Sequence, residues 1–315
     1  MKKAIVTGAT GFVGKWVVRE LLNNGVEVIA IAREGSKKLS IFEGLSVKVV
    51  ECNLNHLAKL PELISDRDID IVYHFAWQGI SDADTKDSVI QIQNLQATLD
   101  VLNAMTVMGI KAFVGAGSLH EAESQLEMMD NKVISNLGYM YKAAKIAAHY
   151  MGKAKAGDSK IKFFWPIISN TYGEGEESGR LINMVIRKVL VGESPDLSSG
   201  EQYYDFVHIS DVAKAFYLIG EKGKNGSNYI IGSGYARPLK EFLSEVGRIA
   251  NPNVELGFGK IKASVVNMPH ETFNMTNLIE DTGFEPKVSF EEGITRTVEW
   301  IKKDINKDRK FNATF

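Results

Sequence analysis

The 315-residue chain is 44% hydrophobic and 24% charged, the balance of a folded, water-soluble protein rather than a disordered one. Its formal net charge of −2 and pI near 6.3 leave no basic field for nucleic acid or an anionic membrane, so neither is an expected partner. The single cysteine, Cys52, excludes an internal disulfide, and no apolar run reaches the length of a membrane span, which makes a cytoplasmic address the expectation.

From the start of the chain, Lys3 to Val6 is too short an apolar run for a secretory signal and reads as a buried first strand. Short apolar runs follow at Val26–Ala32, Val47–Val50, Ile69–Phe75, Ala112–Gly115 and Ile161–Ile168, nearly continuous in character, as strands covered on both faces should be. Helical patterns lie between them at Lys15–Asn24, Val89–Met108 and Leu137–Lys155, each stopping at or near a glycine. Repeated β-α-β of this kind predicts an α/β domain with a doubly wound parallel sheet, assigned to residues 1–168. The rhythm breaks at Gly173–Gly179. Beyond it, Leu181–Leu190, Ser210–Gly220, Leu239–Ala250 and Glu291–Asp304 read as helices and Asn228–Ile231 as a strand, which predicts a smaller mixed α/β lobe over 169–315 with some segments returning to the main sheet.

Thr7-Gly8-Ala9-Thr10-Gly11-Phe12-Val13-Gly14 follows the first strand and opens the first helix. Glycines at 8, 11 and 14 permit a tight turn, a close approach of backbone amides to a pyrophosphate and close helix–strand packing, while the helix N-terminus supplies free N–H groups. The pattern predicts a dinucleotide site in which Gly8, Thr10, Gly11, Phe12, Val13 and Gly14 hold the phosphates. Where the second strand ends, Arg33 stands in the place of the acidic residue that would bind the adenosine ribose of NAD(H), with Lys37 and Lys38 beyond it. A guanidinium there suits a 2′-phosphate, so NADP(H) is favoured over NAD(H), although a solvated loop arginine gives the same sequence. Asn53 and Leu54 after the third strand, and Phe75 and Ala76 after the fourth, are candidates for the adenine walls or for plain strand-end packing. His74 reads as a hydrogen-bonded core histidine.

Tyr141-Lys142-Ala143-Ala144-Lys145 places Tyr141 and Lys145 on one helical face. A phenol is a weak acid–base catalyst at neutral pH, and a nearby ammonium favours its phenolate; Lys145 can also reach the nicotinamide ribose. Ser118, past the fifth strand, lies at the carboxyl end of the sheet, where such folds bind their ligands; its hydroxyl can hold a substrate oxygen or cap a turn. Asn94, inside the long helix, can bond to backbone near the site. No metal site is expected.

Thr7-Gly8-x-x-Gly11-x-x-Gly14, Ser118, Tyr141-x-x-x-Lys145, Asn170-x-Tyr172-Gly173 and Asp205-Phe206-Val207-His208-Ile209-x-Asp211-Val212 stand in an order that resembles the extended short-chain dehydrogenases, and among them the NAD-dependent epimerase/dehydratase family acting on nucleotide sugars. The resemblance spans about Lys3 to Ile301. It implies a Rossmann fold, a Ser118–Tyr141–Lys145 catalytic triad with Tyr141 and Lys145 also touching the cofactor, Asn170 facing the substrate, and a homodimer built as a four-helix bundle from Val89–Met108 and Leu137–Lys155. Family dehydratases carry Asp-Glu directly after the catalytic hydroxyl; this chain has Leu119-His120, with His120 or Glu121 as a substitute acid. Tyr204 replaces a frequent arginine before Asp205. His120 and Arg237 join Asn170 as substrate-binding candidates, with Arg180 and Arg187 also available to a diphosphate.

The expected activity is hydride transfer at a sugar carbon of a nucleotide sugar, as a 4-keto-sugar reductase or 4-epimerase. A carbonyl reductase for a non-nucleotide ketone is the alternative, and a non-catalytic NAD(P)-sensing protein, which the Tyr141/Lys145 pair disfavours, comes third.

Overall fold

The computed structural model describes residues 1–80, 84–129, 139–262 and 267–312. The chain opens with β1 (Lys3–Thr7), α1 (Phe12–Asn23), β2 (Glu27–Ala32), β3 (Val47–Glu51), α2 (Leu60–Leu63), β4 (Ile71–His74) and α3 (Ser88–Met108). Then come β5 (Ala112–Val114), β6 (Gly117–Ser118), α4 (Leu119–Met129), α5 (Tyr139–Asp158), β7 (Lys162–Phe164), β8 (Ile167–Ile168), β9 (Asn170–Tyr172) and α6 (Leu181–Leu190). The remainder comprises β10 (Tyr203–Tyr204), β11 (Phe206–His208), α7 (Ile209–Lys222), β12 (Ile230–Ile231), β13 (Arg237–Pro238), α8 (Leu239–Ala250), α9 (Thr276–Thr282) and α10 (Phe290–Asn312). Among the described residues no helix is long and apolar enough to cross a membrane.

The chain divides into two units. The first holds Met1–Ile168, Ala213–Ile231 and Met275–Glu285; the second holds Ser169–Val212, Gly232–Asn274 and Pro286–Phe315. In the first unit six parallel strands run in the order β3-β2-β1-β4-β5-β7. Chain order reverses direction between β1 and β4, which opens a crevice at their carboxyl ends. This is the doubly wound sheet the sequence predicts; β1, β2 and β4 are buried nearly throughout, whereas the edge strand β3, expected to be covered on both faces, leaves Val49 38% exposed because no strand flanks it on one side. Ala4, Ile5 and Val6 of β1 are fully buried, and Phe113, Leu102 and Val101 share the core under α3 and α5.

Local chemistry fixes the element ends. Asp87 caps α3 by accepting from the amides of Val89 at 2.8 Å and Ile90 at 3.2 Å, and Gly109 closes it in the left-handed region at φ 77°. Helix α1 opens at Phe12, ahead of the expected Lys15, because Gly11 already serves as its N-cap. Leu137 and Gly138, the expected start of the next helix, lie outside the described residues.

The expected single strand Ile161–Ile168 is two. β7 stays in the main sheet, while β8 pairs with β6 and β12 in a separate three-stranded parallel sheet. Pro166 has no N–H for a ladder, and its carbonyl accepts from Gly117 at 2.9 Å. The Trp165 ring fills the space over Gly115, where a Cβ would fall 2.2 Å from it. In the second unit, α6, α8 and α10 bury Ile186, Val246 and Ile294 around Phe206, and Phe242 meets Phe290 edge-on at 4.7 Å. There β9 pairs in parallel with β11, and β10 antiparallel with β13.

Candidate active site

The crevice between β1 and β4 contains a cavity of about 490 Å³, an ordinary size for a small-molecule site. Its floor is the turn after β1. Gly8 takes φ +66°, and a Cβ there would lie 2.6 Å from the Ala76 amide. Gly14 packs so close to this turn that a Cβ would lie 2.2 Å from the Gly8 carbonyl. That carbonyl accepts from Gly11 at 2.9 Å, and no side chain caps the opening amides of α1.

Of the residues expected to bind a cofactor, Gly8, Thr10, Gly11, Arg33, Leu54, Phe75 and Ala76 line this cavity. Phe12, Val13 and Gly14 form the first turn of α1 beside it. Asn53 accepts from the Glu34 amide at 3.3 Å through Oδ1, so its side-chain oxygen braces the loop after β2. Lys38, which the sequence places beyond Arg33, lines the cavity too, as do Cys52, Trp77, Gln78 and Gly79, which carry no cofactor signal in the sequence. Burial, with Glu34 as a second cause, pushes the Cys52 thiol up.

The 77–79 segment is held from α3. Asn94 is fully buried and brackets Gln78, accepting from its amide and donating to its carbonyl, both at 2.8 Å. Gln91 accepts from Trp77 Nε1 at 3.1 Å and donates to the Gly79 carbonyl at 3.0 Å. The sequence pointed to Asn94 as a backbone anchor, but a glutamine one turn earlier gave no signal of its own. His74 is the expected core histidine: its nitrogens meet Thr7 Oγ1 at 2.7 Å and Thr98 Oγ1 at 3.2 Å, and burial drives its pKa down to about 3.

Lys145, on α5, is 6% exposed; its ammonium donates to the Ala116 carbonyl at 3.0 Å and lies 3.5 Å from the Trp77 ring centroid. Tyr141, one turn earlier on α5, meets the Trp77 ring at 6.0 Å and the His120 ring at 5.8 Å, both edge-on. The His120 amide approaches Ser118 Oγ at 3.4 Å. Thus Ser118, His120, Tyr141 and Lys145 gather around Trp77 and the Ala116–Ser118 backbone.

Helix α4 was not foreseen. Its signal is Ser118-Leu119-His120-Glu121, a Ser-x-x-Glu capping pattern, and Glu121 does accept from the Ser118 amide at 3.0 Å.

The second unit carries the other candidates. Asn170 donates through its backbone amide to the Asp205 carbonyl at 3.0 Å. The Asp205 carboxylate in turn takes the Ser233 amide at 2.9 Å, the Ser233 hydroxyl at 2.6 Å and the Gly234 amide at 3.1 Å, while burial keeps its pKa raised. Arg237 donates to Glu245 at 2.6 Å and stacks 4.1 Å over Phe242, and Arg187 donates to Asp304 at 2.6 Å. His208 lies between Ser210 and Glu174, each at 2.8 Å. Burial opposes the charge on Glu174, but His208 and Arg296 outweigh it and hold the pKa at about 2. Among the described residues no group of three or more His, Cys, Asp or Glu is arranged to hold a metal ion.

Comparison with known proteins agrees with this geometry. The model of the family described as "NAD dependent epimerase/dehydratase family" matches residues 4–232. A dTDP-glucose 4,6-dehydratase of Xanthomonas campestris pv. campestris is 26% identical over 94% of this chain and 92% of its own. The fold matches a Thermotoga maritima UDP-glucose 4-epimerase solved with UDP-glucose, with a TM-score of 0.80, 23% identity, and 96% of this chain and 99% of that one covered. It also matches the Bordetella bronchiseptica enzyme WbmF in complex with NAD+ and UDP, with a TM-score of 0.79, 22% identity, and coverage of 100% and 98%. The chain belongs to the NAD-dependent epimerase/dehydratase family, enzymes of the extended short-chain dehydrogenase type.

Proposed function

We propose that the chain, as a member of that family, moves hydride between an NAD(P) cofactor and a sugar carbon of a nucleotide sugar, as a 4-keto-sugar reductase or 4-epimerase. One observation carries this reading: the Lys145 ammonium is tied at 3.0 Å to the carbonyl two residues before Ser118, with Tyr141 one turn away on the same helix. The residues of the β1/β4 crevice fit a dinucleotide. Gly8 and Gly11 leave bare backbone at the floor, the first turn of α1 offers amides to phosphate, and Ile31, Leu54 and Leu57 give an apolar wall for a base.

Bound there, the cofactor supplies or accepts the hydride. The chain does the rest. In the reductive direction the Tyr141 hydroxyl gives its proton to the developing alkoxide, the Ser118 hydroxyl donates a hydrogen bond to the same oxygen, and the Lys145 cation favours the phenolate left behind. Trp77 and Ala116 hold that cation in place. Asn170, His120 and Arg237 are assigned to the substrate, and Asn53 to the cofactor end through its loop.

Arg33 and Lys38, both on the cavity wall, favour a cofactor with a 2′-phosphate, so NADP(H) is the preferred partner. Self-association belongs to the same reading. Helices α3 and α5 pack side by side and leave Val89, Ile92, Val107, Met140, Tyr150 and Met151 exposed, Val107 at 74%, an apolar face suited to a second copy.

The decisive experiment is Tyr141→Phe assayed with NADPH and keto-sugar nucleotides. Turnover falls by about 10³ or more while cofactor affinity stays within a few-fold. Unaltered turnover would refute the role of Tyr141. Thermal stabilisation by UDP, dTDP, CDP or GDP supports a nucleotide-linked substrate; indifference to all four redirects the reading to a free ketone.

A further inference from the structure

Helix α5 reaches the Ser118 segment by two routes from a single face. Tyr141, Lys145 and His149 stand one turn apart on that helix, so they project on the same side. The direct route is Lys145, whose ammonium donates to the Ala116 carbonyl at 3.0 Å. The second route is relayed. His149 Nδ1 meets Glu121 Oε2 at 3.0 Å, and Glu121 Oε1 accepts from the Ser118 amide at 3.0 Å.

Glu121 is 4% exposed, so the relay runs through the interior. Its Oε1 also accepts from Trp165 Nε1 at 3.0 Å, and the Trp165 ring stacks on that of His149 at 5.5 Å and 19°. The same indole covers the segment itself. A Cβ on Gly115 would fall 2.2 Å from the ring, and one on Gly117 would fall 2.9 Å from it. Capping at the start of α4 completes the arrangement. In a full capping box the serine hydroxyl takes an amide of the first turn, while the acidic side chain takes the serine amide. Glu121 makes its half, but Ser118 Oγ meets the His120 amide only at 3.4 Å, a long contact that leaves the hydroxyl able to turn towards a ligand.

We propose that Glu121 is a positioning residue of this site, which with His149 sets the Ser118 hydroxyl against the face of α5 that carries Tyr141 and Lys145. The inference rests on the hydride-transfer reading given above. Glu121 acts through Ser118: both of its oxygens are engaged by the scaffold, and it moves no proton of its own. Misplacing a reacting group by about 1 Å costs on the order of 10²-fold in rate, which sets the size of the expected effect.

The test is a double-mutant cycle on kcat, with NADPH and with dTDP- and UDP-4-keto-6-deoxyglucose as probes, joined to hydrogen–deuterium exchange of the peptide amides around Ser118. Glu121→Ala lowers kcat by about 10²-fold and leaves the Kd of NADPH within a few-fold. In a Ser118→Ala background the same substitution costs less than about 3-fold, because the hydroxyl it places is already gone. Damage to the fold alone would instead add in full. Glu121→Gln keeps an acceptor for Ser118 and Trp165 and holds kcat within about 5-fold of the wild type. His149→Phe keeps the ring stack and cuts only the tie to Oε2. It lowers kcat by about 10-fold, again only where Ser118 is present, and it replaces Glu121→Ala should that variant not fold. Both Glu121→Ala and His149→Phe speed amide exchange at Ser118. Additive losses in the cycle overturn the assignment, as does unchanged exchange at Ser118 in both variants. A wild type that turns over neither probe removes the hydride reading; faster exchange in the variants then still makes Glu121 the anchor of Ser118, and unchanged exchange removes both.

Discussion

The ammonium of Lys145 lies 3.5 Å from the ring centroid of Trp77 and 3.0 Å from the Ala116 carbonyl oxygen, so an indole and a peptide group share one buried cation. Trp77 also lines the cavity, and its N–H is tied to Gln91. The indole therefore joins the cavity wall to the Lys145 charge, one turn from Tyr141 on α5. A desolvated cation–π contact is worth about 2 kcal/mol. Trp77→Leu is expected to lower kcat by about 10-fold and to weaken cofactor binding, read by steady-state kinetics and NADPH fluorescence titration. Unchanged values for both would separate Trp77 from the site.

The turn after β1 tolerates no side chain at Gly14, because the clash is with backbone. A Cβ 2.2 Å from the Gly8 carbonyl forces the helix off the strand, at a cost of about 1–3 kcal/mol. Gly14→Ala is expected to lower the melting temperature and to abolish saturable dinucleotide binding by calorimetry. Gly109→Ala is the control: Gly109 is left-handed at φ 77° but has nothing within 4 Å of its Cβ, so the substitution strains the end of α3 away from the β1/β4 cavity.

The proposed preference for NADP(H) is tested at Arg33. A charge-assisted hydrogen bond contributes about 1.5–3 kcal/mol. Arg33→Ala therefore raises the Kd of NADPH by roughly 10- to 100-fold and leaves that of NADH nearly unchanged, as binding titrations with the two cofactors will read. Equal effects on both would assign Arg33 to the loop alone.

Acid should destabilise the first unit through His74. Its folded pKa of about 3 lies below the ordinary value of 6.5, so above pH 6.5 both folded and unfolded forms are neutral and the group contributes nothing. As pH falls below that, the unfolded chain binds a proton that the folded chain refuses, and stability drops by about 1.4 kcal/mol per pH unit until pH 3 is approached. His74→Gln removes one proton from this slope, measured by denaturant unfolding between pH 7 and pH 4.

The outer face of α3 offers a fifth handle. Ile92→Lys together with Val107→Lys is expected to shift the protein to a monomer in sedimentation velocity without loss of the folded signal, since both side chains are exposed. A dimer that persists in this variant assigns its contact to another face.

Much of the nucleotide half was legible because its signals are local. Continuous apolar strands, Gly8/Gly11/Gly14 after β1 and the four-residue spacing of Tyr141 and Lys145 each follow from short-range geometry. What escaped notice depends on distant partners. The Ile161–Ile168 strand splits because Trp165 needs the space above Gly115, a fact written fifty residues away. Trp77 gave no sign that it would shelter Lys145, and Gln91 none that it would hold Gly79. Helix α4 was overlooked although Ser118 and Glu121 spell a capping pattern, because its acidic face hides the apolar period on which helix recognition leans.

Helix α3 has two audiences. Inward, Asn94 and Gln91 grip the strip from Trp77 to Gly79 at the cavity's rim; outward, Ile92 and Val107 stand exposed. A rod gripped on one side and loaded on the other transmits stiffness across its width. Should two copies clasp there, dinucleotide and subunit become thermodynamic correspondents: each tightens the other's hold by the same factor, and dilution alone would loosen the coenzyme.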